Sequence, residues 1–589
     1  MKKRAVTFLL LAAMAVTMAT GCSQGQDSSG SSSTASSGAA SGATDDGSVP
    51  TITIADSGKS SQDMTHWPTD FVAKMEEDLG IKLEVVELSS EQFDLFLASG
   101  DANFDIANCT SYRESQVLNA NLAVNLDDYL EEYGQNIAKY EDRNNLTREF
   151  LSNGTGNLYF KRIQTGPEIV GAESWGGYVV RWDWYKELGC PAMNNDDEYL
   201  SVLQQMVEAH PTNDAGGATY GLGQYVGTGL WSWTVTKGMQ LGYVDLVAGL
   251  QLDLNDNTIH NAYTDDEASF WQAMEFFNKA YNMGLCDPDF FIMKSDDLTQ
   301  KVVQGTYAGA IRTWDVADYY TQEYAKDPNT LKGYISVFPE EGGMSANYNS
   351  NPIAGWENNS YFVFSGSDNI EKAVSALDYF DNEDNMRAYY SGFEGTHWEY
   401  DENGVPHLTD AGKELFSSSG DAVDQAGFLN STTGGWMNYL CGSSGGSLHS
   451  DGQPLNLTLS DEAISETLNP LQKDYSEYYG VDYPLQVHEK QVEEGIAIDR
   501  SNDPKDLYMV LTETPEEMAT RKTQIETLLE GYIPDLVMAA SEDEFNSIKA
   551  QVIEECKAAG SDELYEWAQG AYEDAAAKLE AAKEKYGIE

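Results

Sequence analysis

The sequence predicts an α/β protein with more than one domain, and two observations support this. Between residues 51 and 107, strand and helix patterns alternate, which is typical of an open sheet flanked by helices. About 540 residues follow residue 49, and 41% of the whole chain is hydrophobic, which is more apolar material than one core usually uses. At least two domains are therefore expected.

The first 22 residues have the pattern of a bacterial export signal. Basic residues at positions 2–4 precede an apolar run from Ala5 to Ala19. That run is shorter than the roughly 20 residues that a membrane-spanning helix needs. The residues before Cys22 resemble a lipobox, so residues 1–21 are predicted to be a signal peptide and Cys22 the lipidated start of the mature chain. The alternative is ordinary secretion with an unmodified cysteine.

A low-complexity segment follows the lipidation site. Residues 22–49 are rich in Ser, Gly and Ala and lack the apolar content of a core, so we expect a flexible tether. About 26 residues of such a chain have a mean reach on the order of 28 Å. The protein is therefore expected on the extracellular face of the cell membrane of a Gram-positive bacterium, held by its lipid anchor only.

Charge and cysteine content exclude several classes of function. The chain has 96 acidic and 35 basic residues, a formal charge of −61, which argues against nucleic-acid partners and against electrostatic adhesion to anionic lipid. The same charge disfavours highly anionic ligands. The 6 cysteines are widely spaced and include no C-x-x-C pair, so neither a disulfide framework nor a cysteine metal site is predicted.

The first domain is predicted from a regular order of elements. Thr51–Ala55, Ile81–Leu88 and Phe104–Ala107 have strand patterns, and Thr69–Gly80 and Glu91–Ser99 have helix patterns. Ligands of open parallel sheets lie outside the carboxyl ends of the strands. The loops at 56–67 and 108–112 are therefore expected on a binding edge.

Later segments extend this assignment. Tyr178–Arg181 is predicted to be a strand and Trp184–Leu188 a short helix, and acidic residues at 196–198 precede a helix through Val207. A polar turn is expected at 253–258. The stretch from Glu516 to Lys585 is predicted to form several packed helices.

Four stretches, taken together, resemble bacterial extracellular solute-binding proteins of family 1, particularly the lipoprotein branch that includes oligo-alginate and oligosaccharide binders. The first comprises Gly80–Val86, Leu97–Asp101 and Phe104–Ile106; the second is Arg181–Gly189; the third is Gln304–Trp314; the fourth comprises Asn369–Phe380, Gly392–Trp398 and Tyr400–Gly404. This resemblance covers nearly the whole chain after the tether.

The resemblance implies a two-lobed, class II periplasmic-binding-protein-like fold, in which each lobe is a β-sheet flanked by helices and the ligand lies in the cleft between lobes. By analogy, lobe 1 comprises residues 50–160 and 341–392, and lobe 2 comprises residues 161–340 and 393–589. The chain would cross between lobes near residues 157–164, 335–340 and 392. The implied partners are a small-molecule ligand and an ABC permease, with the protein acting as a monomer.

The resemblance departs from the oligo-alginate binders at one place. Those proteins carry a calcium loop just after the Arg-x-Asp-Trp block, whereas here Gly189 is followed almost at once by the next helix. No metal or other cofactor is therefore predicted, although structural calcium stays open. The same departure weakens alginate as the ligand.

The composition suits a sugar ligand, because a pyranose offers an apolar face to aromatic rings and a rim of hydroxyls to polar side chains. The chain has 12 Trp and 34 Tyr, and several Trp lie among polar or glycine residues. Trp314 and Trp398 occupy positions that resemble ligand-facing ones. The other candidate ligand-binding residues are Trp67, Trp231, Trp175, Trp356, Arg312, Glu394, His397, Asp56 and Arg181. Core packing is the alternative for each Trp, and it is preferred for Trp184 and Trp271.

The sequence thus predicts a solute-binding lipoprotein of an ABC importer that captures an oligosaccharide and performs no catalysis. A binder of peptides or other polar solutes is one alternative, and a surface glycoside hydrolase is another. A hydrolase needs two carboxylates about 5–9.5 Å apart, which 96 acidic residues do not exclude. However, the chain contains no G-x-S-x-G, H-E-x-x-H or P-loop motif.

Overall fold

The computed structural model describes residues 49–56, 69–109, 113–163, 176–225, 229–345, 360–417, 440–500, 504, 506–511 and 513–588. Residues 49–589 form one compact unit. The predicted signal peptide, Cys22 and the tether lie outside the described residues, and so do Trp67, Trp175 and Trp356. Of Asp56, only the backbone is described.

Strands and helices are mixed along most of the described chain, and its last part, from Asp461 onward, is helical. The strands are β1 Thr51–Asp56, β2 Lys82–Glu87, β3 Ile106–Cys109, β4 Tyr178–Arg181, β5 Tyr243–Asp245, β6 Leu250–Asp253, β7 Ile259–Asn261, β8 Gly309–Ala310, β9 Tyr334–Val337, β10 Ser360–Val363, β11 Trp398–Tyr400 and β12 Pro406–Leu408. The α-helices are α1 Thr69–Leu79, α2 Ser90–Ser99, α3 Glu114–Asn119, α4 Leu130–Tyr133, α5 Glu141–Phe150, α6 Trp182–Glu187, α7 Asp196–Ala209, α8 Trp231–Leu241, α9 Ser269–Asn282, α10 Ser295–Val302, α11 Ala317–Lys326, α12 Ile370–Tyr379, α13 Glu383–Ser391, α14 Asp410–Ser417, α15 Asp461–Thr467, α16 Pro470–Tyr479, α17 Gln486–Glu493, α18 Leu507–Val510, α19 Glu516–Met538, α20 Glu542–Ala558 and α21 Ser561–Tyr586.

The first sheet has the strand order β10-β3-β1-β2. Strand β1 pairs in parallel with β2 and β3, as predicted, and β10 joins as an antiparallel strand with Ser360 opposite Cys109. Strand β3 begins at Ile106, two residues after the predicted start at Phe104. Because successive side chains of a strand point to opposite faces, β10 contributes Tyr361 to the core on one face and Phe362 to the core on the other.

The helix after β2 shows why the local prediction succeeds there. Ser89 caps α2 by accepting the N–H of Gln92, and the Gln92 side chain accepts the N–H of Ser89 in return. Gly100 ends the helix with φ 71°, a conformation that favours glycine. Phe93 and Phe96, three positions apart, lie on one face of this helix and pack against the first sheet.

A second core surrounds the antiparallel sheet β8-β4-β9 and the β5-β6-β7 meander. Trp182, Trp184 and Trp271 are buried in this core, which confirms core packing for the last two. The turn between β6 and β7 lies at the predicted place. The three C-terminal helices α19, α20 and α21 confirm the predicted helical stretch, and each contributes side chains to this second core.

The segment after residue 392 does not pack with the second core alone. Leu440, Cys441 and Leu455 lie in the core of the first sheet. Helix α21 packs through Leu564 in the second core, while Leu579, near its other end, meets Leu146 of α5 in a smaller cluster. We therefore propose that lobe 1 also includes the residues around 440–455, in addition to the ranges that the sequence suggests.

A buried charge cluster includes Lys161, which lies in a segment predicted to cross between lobes. Asp381 contacts Arg143 at 2.7 Å and Lys161 at 2.8 Å, and all three side chains are at most 1% exposed. Burial lowers the pKa of Lys161, and Asp381 opposes that effect. Lys161 also donates to the carbonyl of Leu440, which ties the crossing segment to the late part of lobe 1.

Helix α17 carries a histidine that is held in its neutral form. His488 is 0% exposed, its Nε2 lies 3.2 Å from the Met344 carbonyl, and its ring packs on Phe338. Burial lowers its pKa from the ordinary 6.5 to about 4. The unfolded chain takes up a proton near pH 6.5, so this group lowers stability progressively as the pH falls from about 6.5 to about 4.

We expect a His488→Gln variant to lack this part of the pH dependence. Between pH 7 and pH 4, the parent should lose about 3 kcal/mol more unfolding free energy than the variant does. Urea unfolding at pH 7, 5.5 and 4 measures both proteins. Equal losses over this range would show that His488 is not the titrating group.

Candidate ligand-binding site

Two large aromatic side chains of the predicted lobe 2 lie exposed and in contact. Trp231 is the first residue of α8, and Trp314 lies in the loop between β8 and α11. Their ring centroids are 6.4 Å apart with 24° between the planes, and they are 45% and 41% exposed. We call them the tryptophan pair. Large apolar rings grouped at a surface indicate a binding site, because exposing them to water is unfavourable.

Arg312 lies beside the tryptophan pair in the interior. Its guanidinium carbon is 5.8 Å from the Trp231 ring centroid and 6.0 Å from that of Trp314. The ring of Tyr225 lies closer, at 4.6 Å. These distances are within the range in which a cation is attracted to an aromatic face. One buried cation therefore contacts three aromatic rings.

The nitrogen atoms of Arg312 are held by three partners. Nε donates to Oδ2 of Asp315 at 2.6 Å, Nη2 to Oε1 of Gln224 at 3.1 Å, and Nη1 to the carbonyl of Ser232 at 3.4 Å. Burial raises the pKa of Asp315, while the charge and hydrogen bond of Arg312 act in the opposite direction. The pair is thus a partly desolvated ion pair rather than an exposed one.

Three of these side chains were predicted from the sequence, and three were not. Trp231, Trp314 and Arg312 were candidates, and the structure brings them together. Tyr225, Gln224 and Asp315 were not. The sequence could have predicted the role of Asp315, because an acidic residue three positions after Arg312 is within reach of the Arg312 side chain.

A further candidate, Arg181, lies in the interior. Arg181 is 1% exposed, forms two hydrogen bonds with Asp183, and lies over the ring of Trp184 at 3.9 Å. Arg181 is the last residue of strand β4, and its side chain does not reach an open surface. Its contacts are those of a side chain that joins the sheet to α6.

The remaining candidates cluster in the β11–β12 hairpin. Glu394 is exposed, and Nδ1 of His397 accepts the backbone N–H of Phe393 at 3.0 Å. Burial lowers the pKa of His397. Trp398 is 7% exposed, donates its indole N–H to the Gly392 carbonyl at 2.8 Å, and belongs to a small core. That core also contains Leu408, Leu457 and Ala463.

These contacts lead to a prediction for Trp398. We expect Trp398→Phe to lower the free energy of unfolding by about 2 kcal/mol, because the variant loses a buried hydrogen bond and part of a packed ring. The affinity for ligand should not change. Denaturant unfolding and a binding titration on the same preparation test both statements. A large loss of affinity with unchanged stability would instead place Trp398 at the ligand.

A separate cavity of about 590 Å³ lies between the first lobe and the C-terminal helices. It is lined by residues of α3, α5 and α21 and of the segment 508–513. Arg162 and Glu114 are among its lining residues; Arg162 donates to Ser360 at 2.6 Å, and Glu114 lies 3.6 Å from Arg162. Burial raises the pKa of Glu114. The candidate ligand-binding residues do not line this cavity.

Among the described residues, no three acidic, His or Cys side chains are grouped as a metal site. Within the same ranges, every helix is too short or too polar to cross a bilayer.

Comparison with known proteins gives one sequence relative and several structural ones. No protein-family model matches the sequence. Lipoprotein LipO of Bacillus subtilis (strain 168) is 24% identical over 226 residues, which are 38% of this chain and 41% of LipO. The chain therefore matches less than half the length of that relative.

The similarity to solved structures extends over most of the chain. FusA of S. pneumoniae in complex with kestose matches with a TM-score of 0.57 and 13% identity over 90% of this chain and 99% of that one. An extracellular solute-binding protein of Bifidobacterium longum subsp. infantis matches with a TM-score of 0.55 and 14% identity over 90% of this chain and 100% of that one. The alginate-binding protein AlgQ2, solved without calcium ion, matches with 0.54 and 15% over 89% and 98%. The predicted fold is thus confirmed: the chain has the two-lobed α/β fold of the solute-binding proteins.

Proposed function

We propose that this protein is the solute-binding component of an ABC importer and captures an oligosaccharide between its two lobes. The exposed tryptophan pair of Trp231 and Trp314 carries this proposal. The fold supports it, because solved structures with the same fold include an extracellular solute-binding protein and the substrate-binding protein FusA in complex with kestose. Sugar capture is the function for which paired indoles at a surface are best suited.

The spacing of the pair determines how a sugar ring would lie. Carbon atoms in contact are about 3.5–4.0 Å apart, so a ring held between two indoles needs about 7–8 Å between them. The observed 6.4 Å is too short for such a clamp. Sugar rings would therefore lie with their apolar faces on the exposed surfaces of the pair rather than between the two stacked indoles.

The two-lobed fold supplies a mechanism of capture. A ligand on the tryptophan pair contacts the second lobe, and it contacts the first lobe only when the lobes close. Because closure adds contacts, bound ligand shifts the population toward the closed form. The closed form is then the one that an ABC permease would recognise, with the protein acting as a monomer and without a metal ion.

The proposal includes the membrane anchor. A lipid on Cys22, followed by the tether of residues 22–49, would hold the folded part at the outer face of the membrane while leaving it free to reach a permease. The name of the similar LipO, a lipoprotein, supports this part. Loss of membrane association in Cys22→Ser, measured by cell fractionation, is the expected result; unchanged association would contradict a lipid on Cys22.

A thermal-shift screen tests the function. Residues 49–589 are mixed with neutral and acidic oligosaccharides of several linkages, and the sugars are recovered for chromatography. We expect a saturable rise in Tm with unchanged sugar, since ligand at 100 times its Kd adds about 2.7 kcal/mol to stability. Shortened products would identify a glycoside hydrolase instead. A rise only with peptides or other solutes would contradict the sugar assignment.

A further inference from the structure

We infer that Arg312 is a positioning residue for the tryptophan pair rather than an anion-binding group, and that the pair consequently takes uncharged sugar rings. The second part rests on the proposed function, since it specifies the ligand class at the same site. The first part concerns the ligand-free protein and stands on its geometry alone.

Arg312 connects the two segments that carry the tryptophan pair. Its own segment, the loop after β8, continues to Trp314 two residues later. Through Ser232 it reaches the first turn of α8, directly beside Trp231. Gln224 strengthens the connection, because its amide accepts from Arg312 and donates to the same Ser232 carbonyl. A single buried guanidinium therefore fixes the position of both indoles.

The charge of Arg312 is already compensated. Asp315 lies 2.6 Å from Nε, and the two side chains are 0% and 10% exposed. A carboxylate of an acidic sugar would have to displace Asp315 from a desolvated ion pair, which is unfavourable because it leaves a buried charge without its partner. If Asp315 stayed in place, the ligand carboxylate would approach a site without net positive charge.

The charge of the whole protein acts in the same direction. With a formal charge of −61, the protein repels anionic ligands at long range. Hydroxyl-rich neutral sugars escape both effects. Stacking of the sugar rings on the indoles, together with hydrogen bonds to the sugar hydroxyls, then favours a neutral oligosaccharide over its acidic counterpart.

The positioning role is tested without ligand. Two indoles in contact couple their electronic transitions, and this coupling contributes to the circular dichroism spectrum. The spectrum with Trp314 minus the spectrum with Trp314→Phe gives the signal of the pair, and the same difference is taken for each variant. We expect Arg312→Lys, which keeps the charge but loses the planar fork of donors, to reduce this signal by at least half. Arg181→Lys is the matched control, because Arg181 is equally buried over a Trp elsewhere, and it should leave the signal unchanged. An unchanged signal in folded Arg312→Lys would overturn the inference.

The ligand class is tested with matched sugars. Tri- to pentasaccharides of glucose, galactose and mannose are each paired with the same oligosaccharide oxidised at C6 to the uronate. Both members of a pair are titrated into residues 49–589, which form one compact unit. We expect the neutral member of a bound pair to have at least a 10-fold lower Kd. Asp315→Asn, which removes the compensating charge while keeping the side-chain shape, should reduce this preference or reverse it.

The outcomes separate the two proposals. Equal or tighter binding of uronates by the parent would overturn the ligand class while leaving sugar capture intact. An unaltered preference in folded Asp315→Asn would overturn the role assigned to the ion pair. If no sugar binds, the proposed function fails and the ligand class fails with it, whereas the dichroism of Arg312→Lys still decides the positioning role.

Discussion

Replacing Trp231 and Trp314 together by alanine is expected to weaken oligosaccharide binding by about 100-fold or more. Anchoring aromatic side chains at binding sites contribute about 2 kcal/mol each, and each 1.4 kcal/mol is a tenfold change in Kd. The rings touch, so the effects of the two single variants need not add. Calorimetric titration of the parent and of the single and double variants measures them.

The double variant needs a control for general loss of exposed aromatic surface. Tyr324 is 43% exposed and stacks on Tyr320 at 5.7 Å on helix α11, so it resembles the tryptophan pair without belonging to it. Tyr324→Ala should bind like the parent. Parent-like affinity in the double variant, with an unchanged Tm, would remove the tryptophan pair from the ligand site.

Removing the carboxylate of Asp381 is expected to give the largest loss of stability. In Asp381→Ala, Arg143 and Lys161 would be left as two buried positive charges without their common partner. Loss of one partner from a buried ion pair costs about 3–5 kcal/mol. Denaturant unfolding at neutral pH should show this loss as a lower free energy of unfolding. The unfolded fraction of the variant should rise accordingly.

An exposed ion pair supplies the matched control. Asp197 contacts Lys279 at 2.7 Å with the two side chains 74% and 50% exposed. The same substitution there, Asp197→Ala, should change the free energy of unfolding by less than about 1 kcal/mol, because water screens the pair. Equal effects of the two substitutions would show that the Asp381 cluster does not stabilise the fold as its burial implies.

The first sheet shows what a local pattern can and cannot predict. Strands β1 and β2 and helix α2 lie close to their predicted bounds, because alternation, capping residues and Gly100 are all local signals. Strand β10 was missed. It pairs with β3 across about 250 residues of chain, and such a pairing leaves no mark in the four residues of the strand itself.

The candidate site shows the same limit of local sequence patterns. Trp231 and Trp314 could each be selected from their polar surroundings, but their contact joins residues 83 positions apart, which no local spacing predicts. Trp398 has similar neighbours in sequence, yet its indole is bonded to Gly392 and covered by residues from β12, the 457 region and α15. Exposure decides between the two cases, and exposure follows from tertiary packing.

Arg312 illustrates how a correct candidate can have a different role. Its fork of donors could bind ligand hydroxyls or a carboxylate, and the equal alternative was a surface ion pair within this very acidic protein. In the structure, those donors are occupied by Asp315, Gln224 and Ser232. Sequence identifies the chemistry of a side chain, whereas its partners decide whether that chemistry is available to a ligand.

Small-angle X-ray scattering of residues 49–589 tests the central claim, capture of a sugar by closure of two lobes, most directly. The radius of gyration is measured without ligand and at saturation with the oligosaccharide that raises Tm most, and the Trp231→Ala/Trp314→Ala variant is measured under the same conditions. We predict a smaller radius for the parent with sugar and no change for the variant. A radius that stays the same in the saturated parent would contradict capture by closure.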